Sequence, residues 1–310
     1  MKTTDMLIAL LLLGGTAQAQ NWPEPKPEAK PGSRWWWLGS AVDKENLSYN
    51  LQKYGAAGLG SLEITPIYGV IGNESNDIPY LSDKWMEMLR YCQTIGKQNG
   101  INIDMNNGTG WPFGGPEVTT EEAATKAIFE KFETEGGKNI SLKIEITDPK
   151  EKKQQEIARL SRLMAYSENG QILNLTNKVS NGTLEWKAPS GKWKLVALFI
   201  GKTLQKVKRA APGGEGLVID HLDANAVKKY LSKFDKAFKN THTPYPRTFF
   251  NDSYEVYGAD WSPSLLEEFQ RRRGYKLEDH FLEFLDQERP ETTRRIVSDY
   301  RETMLSLIHI

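Results

Sequence analysis

The stretch "RWWWLGSAVDKENLSYNLQKYGAAGLGSLEITPIYG" (residues 34–69) has the pattern of a strand, a helix and a second strand. Residues 34–42 are an apolar strand candidate. Residues 43–58 form an amphipathic helical pattern that opens on Asp43, a typical N-cap residue. Residues 59–69 are the second strand candidate. A strand, a helix and another strand in succession predict two parallel strands joined by a crossover helix.

The same alternation continues along the chain. A helix is predicted over residues 81–100, with Ser82 as its N-cap and Gly100 as its terminator, and a third strand over residues 101–107. Further strands are predicted over 216–220 and 247–252, and further helices over 223–240 and 262–275. Five such strands fall short of the eight in a (β/α)8 barrel. The sequence therefore predicts an α/β fold, a TIM-type (β/α)8 barrel of which this chain holds an incomplete N-terminal portion.

A β-rich insertion interrupts this alternation. Segments rich in Thr, Lys and Glu predict antiparallel sheet, with the turn "PSGK" (189–192) between two strands. We interpret the region as an insertion in a barrel loop. The predicted organisation is a signal peptide over 1–19, a Pro-rich linker over 20–33, a first barrel part over 34–117, the insertion over 118–212 and a truncated continuation of the barrel over 213–310.

The composition excludes some classes of protein. The chain has 310 residues, with Lys+Arg and Asp+Glu both 40, and this balance argues against a nucleic-acid partner. The single Cys92 excludes an intrachain disulfide and lies in a helical apolar pattern, so we expect it in the core.

The N-terminus predicts export. "MKTTDMLIALLLLGGTAQAQ" combines a Lys, a short apolar run and a small-x-small end at Ala17 and Ala19, which together are typical of a secretory signal peptide. We therefore expect a bacterial periplasmic or extracellular protein that has no membrane association once the signal peptide is removed.

Polar and aromatic side chains fall at the predicted strand ends, where a parallel barrel carries its functional groups. We expect the following residues to bind substrate: Trp36, Glu63, Asn106, Trp111, Asp220 and His221. Structural alternatives stay open: Glu63 as the buried partner of a Lys or Arg, and His221 as a hydrogen-bonded core residue. In the Trp35-Trp36-Trp37 run, alternation places Trp35 and Trp37 on one face of the strand and Trp36 on the other. One of these two faces could stack on a sugar ring while the other fills the barrel wall.

Carboxylates remain as the candidate catalytic groups. The sequence contains no GxSxG or HExxH motif, and its Gly-rich loop "GTGWPFGG" lacks the Lys of a P-loop. Asp252 and Glu255 follow the strand over 247–252. They are too close in sequence to be presumed the two separated carboxyl groups of a glycosidase, so we expect one to raise the pKa of the other. The neighbouring aromatic residues, Phe249, Phe250, Tyr254 and Tyr257, are expected to add to this by desolvation.

Three blocks of the sequence together resemble glycoside hydrolase family 106, the bacterial α-L-rhamnosidases. The blocks are residues 34–69, "NNGTGWPFGGP" (106–116) and "NDSYEVYGADWSPSLLEEFQRRRGY" (251–275). The resemblance implies a (β/α)8 barrel that cleaves terminal α-L-rhamnose from plant glycans with inversion, often with a calcium ion near the sugar. It also implies Glu255 as general acid, with Asp252 as its assisting carboxylate.

The resemblance further implies that the catalytic base comes from a later barrel strand, which we expect beyond Ile310. The terminal "LSLIHI" has no helix cap and is expected not to be native sequence. Without the later strands the chain would lack the base and leave barrel strand edges unpaired, so the 310-residue chain alone is expected to be insoluble or inactive on an aryl α-L-rhamnoside. Two alternatives stay open at this point. One is a barrel glycosidase acting on another deoxy or uronic sugar, and the other is a non-catalytic carbohydrate-binding protein.

Overall fold

The computed structural model describes residue 23 and residues 25–251, 253–288 and 290–308. The predicted signal peptide and Asp252 lie outside the described residues. The strands are β1 (Gly32–Leu38), β2 (Ser61–Ile67), β3 (Asn102–Asn106), β4 (Gly114–Gly115), β5 (Thr125–Glu135), β6 (Asn139–Lys143), β7 (Arg159–Ser167), β8 (Ile172–Asn174), β9 (Val179–Ser180), β10 (Thr183–Lys187), β11 (Lys192–Lys202), β12 (Leu217–Val218) and β13 (Phe249–Phe250). The α-helices are α1 (Lys44–Ala56), α2 (Asp83–Gln98), α3 (Ala224–Thr241), α4 (Leu265–Arg273), α5 (Phe281–Phe284) and α6 (Glu291–Leu307).

A four-stranded parallel sheet in the order β1-β2-β3-β13 forms the first layer. The helices α1, α2 and α3 cover one of its faces. The predicted N-caps are confirmed, because Asp43 accepts a hydrogen bond from the Asn46 amide at 2.8 Å and Ser82 accepts one from the Trp85 amide at 3.3 Å.

The core between these helices and the sheet is apolar. Trp85 and Leu89 of α2 are fully buried there, and so is Cys92, as predicted. Burial raises the pKa of the Cys92 thiol, so it stays protonated and acts as a small apolar side chain.

The predicted strand over residues 216–220 is not part of the parallel sheet. Only Leu217 and Val218 form strand β12, and they pair antiparallel with β4. The edge of β3 that a fourth strand would need is occupied by β13, since the Asn107 amide donates to the Phe250 carbonyl at 3.0 Å. The helix α3 therefore belongs to the connection between β3 and β13. Residues 107–223, which include the antiparallel sheets, precede α3 in this connection.

The mixed α/β class is confirmed, whereas closure of a (β/α)8 barrel stays a prediction. The described residues supply four parallel strands, and among them β1 and β13 remain at opposite edges of an open sheet. The domain boundaries proposed from the sequence also stay predictions.

Two antiparallel sheets face each other between residues 125 and 202. Their strand orders are β5-β11-β7-β8 and β6-β10-β9. The predicted turn at 189–192 does not join two paired strands, because β10 and β11 lie in different sheets. Residues 195–199 of β11 are all buried, since they lie between two layers, whereas β10 alternates between buried and exposed side chains.

Helices cover the outer face of the β5-β11-β7-β8 sheet. Val196 and Leu198 of β11 point away from the facing sheet and pack against α4, α5 and α6. Leu195 and Ala197 point into the space between the two sheets. The helix after β13 thus packs against the antiparallel sheet. None of the helices in the described part of the chain is long and apolar enough to span a bilayer.

Candidate active site

The face of the parallel sheet opposite the helices carries the polar side chains. The register places Arg34 beside Glu63, and Glu63 beside Asp104. Because side chains two residues apart on a strand share a face, Trp36 and Asn106 lie on this same side, nearer the carboxyl ends of their strands. We call this face, with the loops that follow its strands, the open face.

The alternation predicted for the tryptophans is confirmed. Trp37 is 1% exposed in the core and Trp35 packs against it, whereas Trp36 is 41% exposed on the open face. The Trp36 ring meets the ring of Trp111, from the loop after β3, edge to face at 5.6 Å. An exposed indole with a second indole beside it is a surface on which a sugar ring can stack.

Glu63 does not lie at a strand end. It is the third residue of β2, which continues to Ile67 because its pairing with β1 runs that far. Its Oε1 accepts hydrogen bonds from Arg34 Nε at 3.1 Å and from Thr65 Oγ1 at 2.9 Å. The structural alternative, a carboxylate paired with an arginine, therefore describes Glu63 in this structure.

Asp104, on the neighbouring strand, is paired in the same way. Arg247 donates from Nε to Asp104 Oδ1 at 2.9 Å and from Nη2 to Oδ2 at 2.5 Å. This bidentate pair links the middle of β3 to the segment that precedes β13. Both central carboxylates of the open face are thus held by arginines.

Asn106 is the last residue of β3, at the strand end as predicted. It is fully buried, yet neither its Nδ2 nor its Oδ1 has a hydrogen-bond partner among the described residues. Asn251, which follows the adjacent β13, also has a buried Oδ1 without a partner. Unsatisfied buried amides are costly and rare, and a primary amide can donate to one sugar hydroxyl and accept from another.

Two tyrosines hold the loop that starts at Asn106. Tyr80 donates to the Asn106 carbonyl at 3.3 Å, and Tyr230 of α3 donates to the carbonyls of Asn107 at 2.7 Å and Gly114 at 3.3 Å. Burial raises the pKa of both phenols, so both remain donors at any physiological pH. The ammonium of Lys233 lies 4.0 Å from the Tyr230 ring centroid. The sequence pattern places Tyr230 and Lys233 in a helix but contains no signal for their contact with the loop.

Asp220 follows the short antiparallel strand β12 and does not lie at the end of a parallel strand. Its carboxylate is 2% exposed and accepts hydrogen bonds from the Thr125 hydroxyl and, at 3.0 Å, from the Leu222 amide. Burial raises its pKa. The expectation that Asp220 is a strand-end residue is wrong, because β12 belongs to a different sheet.

His221 is partly buried, and neither of its ring nitrogens has a hydrogen-bond partner among the described residues. Its ring meets that of Tyr254 at 4.9 Å, and burial lowers its pKa to about 4. The imidazole is therefore neutral near pH 7. Together with Asp220 and Tyr254 it lines a cavity of about 440 Å³ that is mostly apolar.

Glu255 lies in the segment after β13, at the carboxyl end of the parallel sheet. Its side chain is exposed, and its backbone carbonyl accepts a hydrogen bond from Gln205 Nε2 at 2.9 Å. Tyr254 and Tyr257 are themselves more than half exposed and leave Glu255 open to solvent, so the predicted effect of the aromatic residues on the carboxylate pair stays a prediction. Its predicted helper, Asp252, lies outside them.

A segment of the predicted insertion, residues 205–209, crosses the carboxyl edge of the parallel sheet. Residues 205–209 bond to the loops after three strands: the Tyr68 amide donates to the Arg209 carbonyl at 3.1 Å, Trp111 and Lys208 exchange backbone hydrogen bonds, and the Tyr257 amide donates to Gln205 Oε1 at 2.8 Å. No local pattern could have predicted this placement, because it depends on where the chain leaves the insertion.

The donor groups for a metal ion are incomplete in the described residues, which contain no cluster of three His, Cys, Asp or Glu side chains. The amide oxygens of Asn106 and Asn251 are the kind of hard ligand that calcium prefers, but calcium takes six to eight oxygens. Calcium therefore stays a prediction, and no chemical step is derived through it.

A parallel α/β sheet with an exposed tryptophan, unsatisfied amides and a glutamate at its carboxyl edge is an arrangement suited to a glycoside hydrolase. A profile of glycoside hydrolase family 106, described as alpha-L-rhamnosidase, matches residues 23–170 and 150–309. The chain belongs to this family.

Two known proteins are similar to the chain. A Formosa agariphila protein, provisionally named a beta-glucuronidase, is 26% identical over an alignment 325 residues long, and the match covers 92% of this chain and 28% of that protein. The solved structure of a rhamnosidase from Novosphingobium sp. PP1Y matches the fold with a TM-score of 0.74 at 15% identity, over 92% of this chain and 44% of that one. The chain thus spans less than half the length of either protein.

Proposed function

We propose that the protein removes terminal α-L-rhamnose from plant-type glycans by inverting hydrolysis, and that the complete catalytic domain is a closed (β/α)8 barrel. Membership of the rhamnosidase family supports the sugar. The open face supports the placement of the sugar-binding site. Trp36 offers a stacking surface, and Asn106 offers to hydroxyl groups a buried amide that has no partner among the described residues.

Glu255 is proposed as the general acid. It protonates the glycosidic oxygen as the bond to the sugar breaks, while a second carboxylate on the opposite face of the sugar activates a water molecule. The observation that carries this assignment is the position of Glu255 in the loop after β13, at the carboxyl edge of the sheet. Asp252 is proposed as the assisting carboxylate. We also propose that the protein is exported and that calcium assists sugar binding.

The substitution Glu255→Gln tests the acid in the protein encoded by the complete gene. On a rhamnoside with a poor leaving group we expect kcat to fall by about 10²- to 10⁴-fold, because the leaving oxygen is no longer protonated. On a dinitrophenyl rhamnoside, whose leaving group needs no proton, the fall should be much smaller. Glu168→Gln, an exposed glutamate of the insertion, is the matched control. Equal rates for Glu255→Gln and wild type on both substrates would exclude Glu255 as the acid.

A second candidate is hydrolysis of a uronic sugar, which the name of the Formosa agariphila relative favours. Parallel assays on an aryl α-L-rhamnoside and an aryl β-D-glucuronide separate the two candidates. Turnover of the glucuronide alone would replace the proposed function with this one.

A further inference from the structure

Three cations lie on the segment that crosses the carboxyl edge of the parallel sheet. They are Lys206, Lys208 and Arg209, which we call the basic rim, and all three are exposed. In the described residues no carboxylate forms an ion pair with any of them, whereas Lys229 and Lys233 on nearby α3 each pair with a glutamate. The rim therefore presents positive charge that the fold itself does not neutralise.

The basic rim is held in place by its surroundings. The ammonium of Lys208 lies 4.6 Å from the ring centroid of Tyr257, and the guanidinium of Arg209 lies 5.6 Å from that of Tyr68 and donates to its hydroxyl at 3.2 Å. Arg209 has a backbone φ of 58°, a left-handed conformation that non-glycine residues rarely adopt. Such a conformation persists only where neighbouring contacts enforce it, and it is enriched at ligand-binding positions.

The rim also lies among exposed aromatic rings. Tyr68 is 43% exposed and Tyr257 is 64% exposed, and the backbone of Lys208 is bonded to that of Trp111. Aromatic faces stack on sugar rings, while lysine and arginine bind carboxylate and sulfate groups. The two kinds of side chain alternate along one edge, next to the proposed acid Glu255.

We propose that the basic rim binds an anionic group, a carboxylate or a sulfate ester, on the glycan beyond the sugar that is cleaved. The substrate is then an acidic glycan that places its neutral terminal sugar on the open face and its charged neighbour on Lys208 and Arg209. This proposal rests on the proposed function, because the position of the cleaved sugar is taken from Glu255 and Asn106.

Binding measurements on the protein encoded by the complete gene test this proposal without requiring turnover. The ligands are an oligogalacturonate, its methyl-esterified form in which the carboxylates are masked, and a sulfated oligosaccharide, so that the arms distinguish carboxylate from sulfate. The rim variant is Lys208→Gln with Arg209→Gln, and the matched control is Lys187→Gln with Lys192→Gln, two exposed lysines of the insertion.

Wild type and the control should bind at least one charged ligand more tightly than the esterified one, and added salt should reduce this preference. The rim variant should bind that charged ligand about tenfold more weakly, from the loss of two charged contacts. An equal loss in both variants, or no loss in the rim variant, would overturn the proposal. Hydrolysis of a neutral aryl rhamnoside by wild type is measured separately, so failure of the proposed function is seen independently of the rim.

Discussion

At the scale of single residues, the open face separates paired from unpaired polar groups. Glu63 and Asp104 are neutralised by Arg34 and Arg247, so they contribute to the structure of the sheet. The side-chain amide of Asn106 is buried and has no partner within the described part of the chain, which is the condition expected of a group that awaits a ligand. The partner of a strand carboxylate is a better guide to its role than its place in the sequence.

His221 makes the stability of the protein depend on pH. Its pKa is lowered from 6.5 to about 4 by burial, so below pH 6.5 the unfolded chain binds a proton that the folded chain excludes. Stability from this residue is fully present above pH 6.5 and is lost as the pH falls towards 4, by at most about 3 kcal/mol. Urea unfolding at pH 7 and pH 4.5 measures this loss.

The substitution His221→Gln removes the titration and should reduce the difference between the free energies of unfolding at the two pH values. His242→Gln, at an exposed position after α3, is the control for the removal of a histidine outside the cavity. The same pH dependence in wild type and His221→Gln would contradict the role assigned to burial.

At the scale of elements, α3 fixes the loop that bears Trp111. Tyr230→Phe removes the hydroxyl that satisfies the carbonyls of Asn107 and Gly114. We expect a loss of about 1–3 kcal/mol in the free energy of unfolding, because one buried and one partly buried carbonyl lose their donor. We also expect KM to rise more than kcat falls, because the proposed role of the loop is to bind the sugar and not to donate the proton.

Tyr245→Phe is the control for this substitution. Its hydroxyl donates to Asp235 at 3.0 Å on the surface, so its removal should change the free energy of unfolding by less than about 0.5 kcal/mol. If Tyr230→Phe behaved like Tyr245→Phe in both urea unfolding and KM, the loop would not depend on α3.

The elements that the sequence predicted well are those with a local signal. The helices α1 and α2 carry their own caps at Asp43 and Ser82, and β1 contains a short continuous run of aromatic residues that favours a strand. The prediction that residues 216–220 join the parallel sheet was wrong, because a short apolar segment followed by a helix does not indicate which sheet the segment joins. Residues 205–209 were missed for a related reason, since their place across the carboxyl edge of the parallel sheet is set by contacts distant in sequence.

At the scale of the whole molecule, the chain builds two packed units around different sheets. The helices α1 to α3 cover the parallel sheet, and α4 to α6 cover the antiparallel sheet of β5, β7, β8 and β11. The segment that carries Glu255 runs from the first unit to the second, because it starts after β13 and ends at Trp261. The position of the proposed acid therefore depends on anchors in both units.

Trp261 is the anchor on the second unit. It is 2% exposed, and its ring lies 5.9 Å from that of Phe129 on β5 and 6.2 Å from that of Tyr300 on α6. Beside it, Asp260 Oδ1 accepts a hydrogen bond from the Ala127 amide of the edge strand β5 at 2.8 Å. Trp261→Ala should destabilise this unit by about 3–5 kcal/mol through the cavity it leaves.

Amide hydrogen exchange locates where that stability is lost. Trp261→Ala should speed exchange in α4, α6 and the segment around Glu255, while α1 and α2 keep the protection they have in wild type. Trp85→Ala, a control in the core under α2, should produce the opposite distribution, because Trp85 contacts Trp37 and Tyr80 of the first unit. If each variant instead exposed both units equally, the two cores would unfold as one cooperative body, and the segment carrying Glu255 would be held by the whole molecule and not by its two ends.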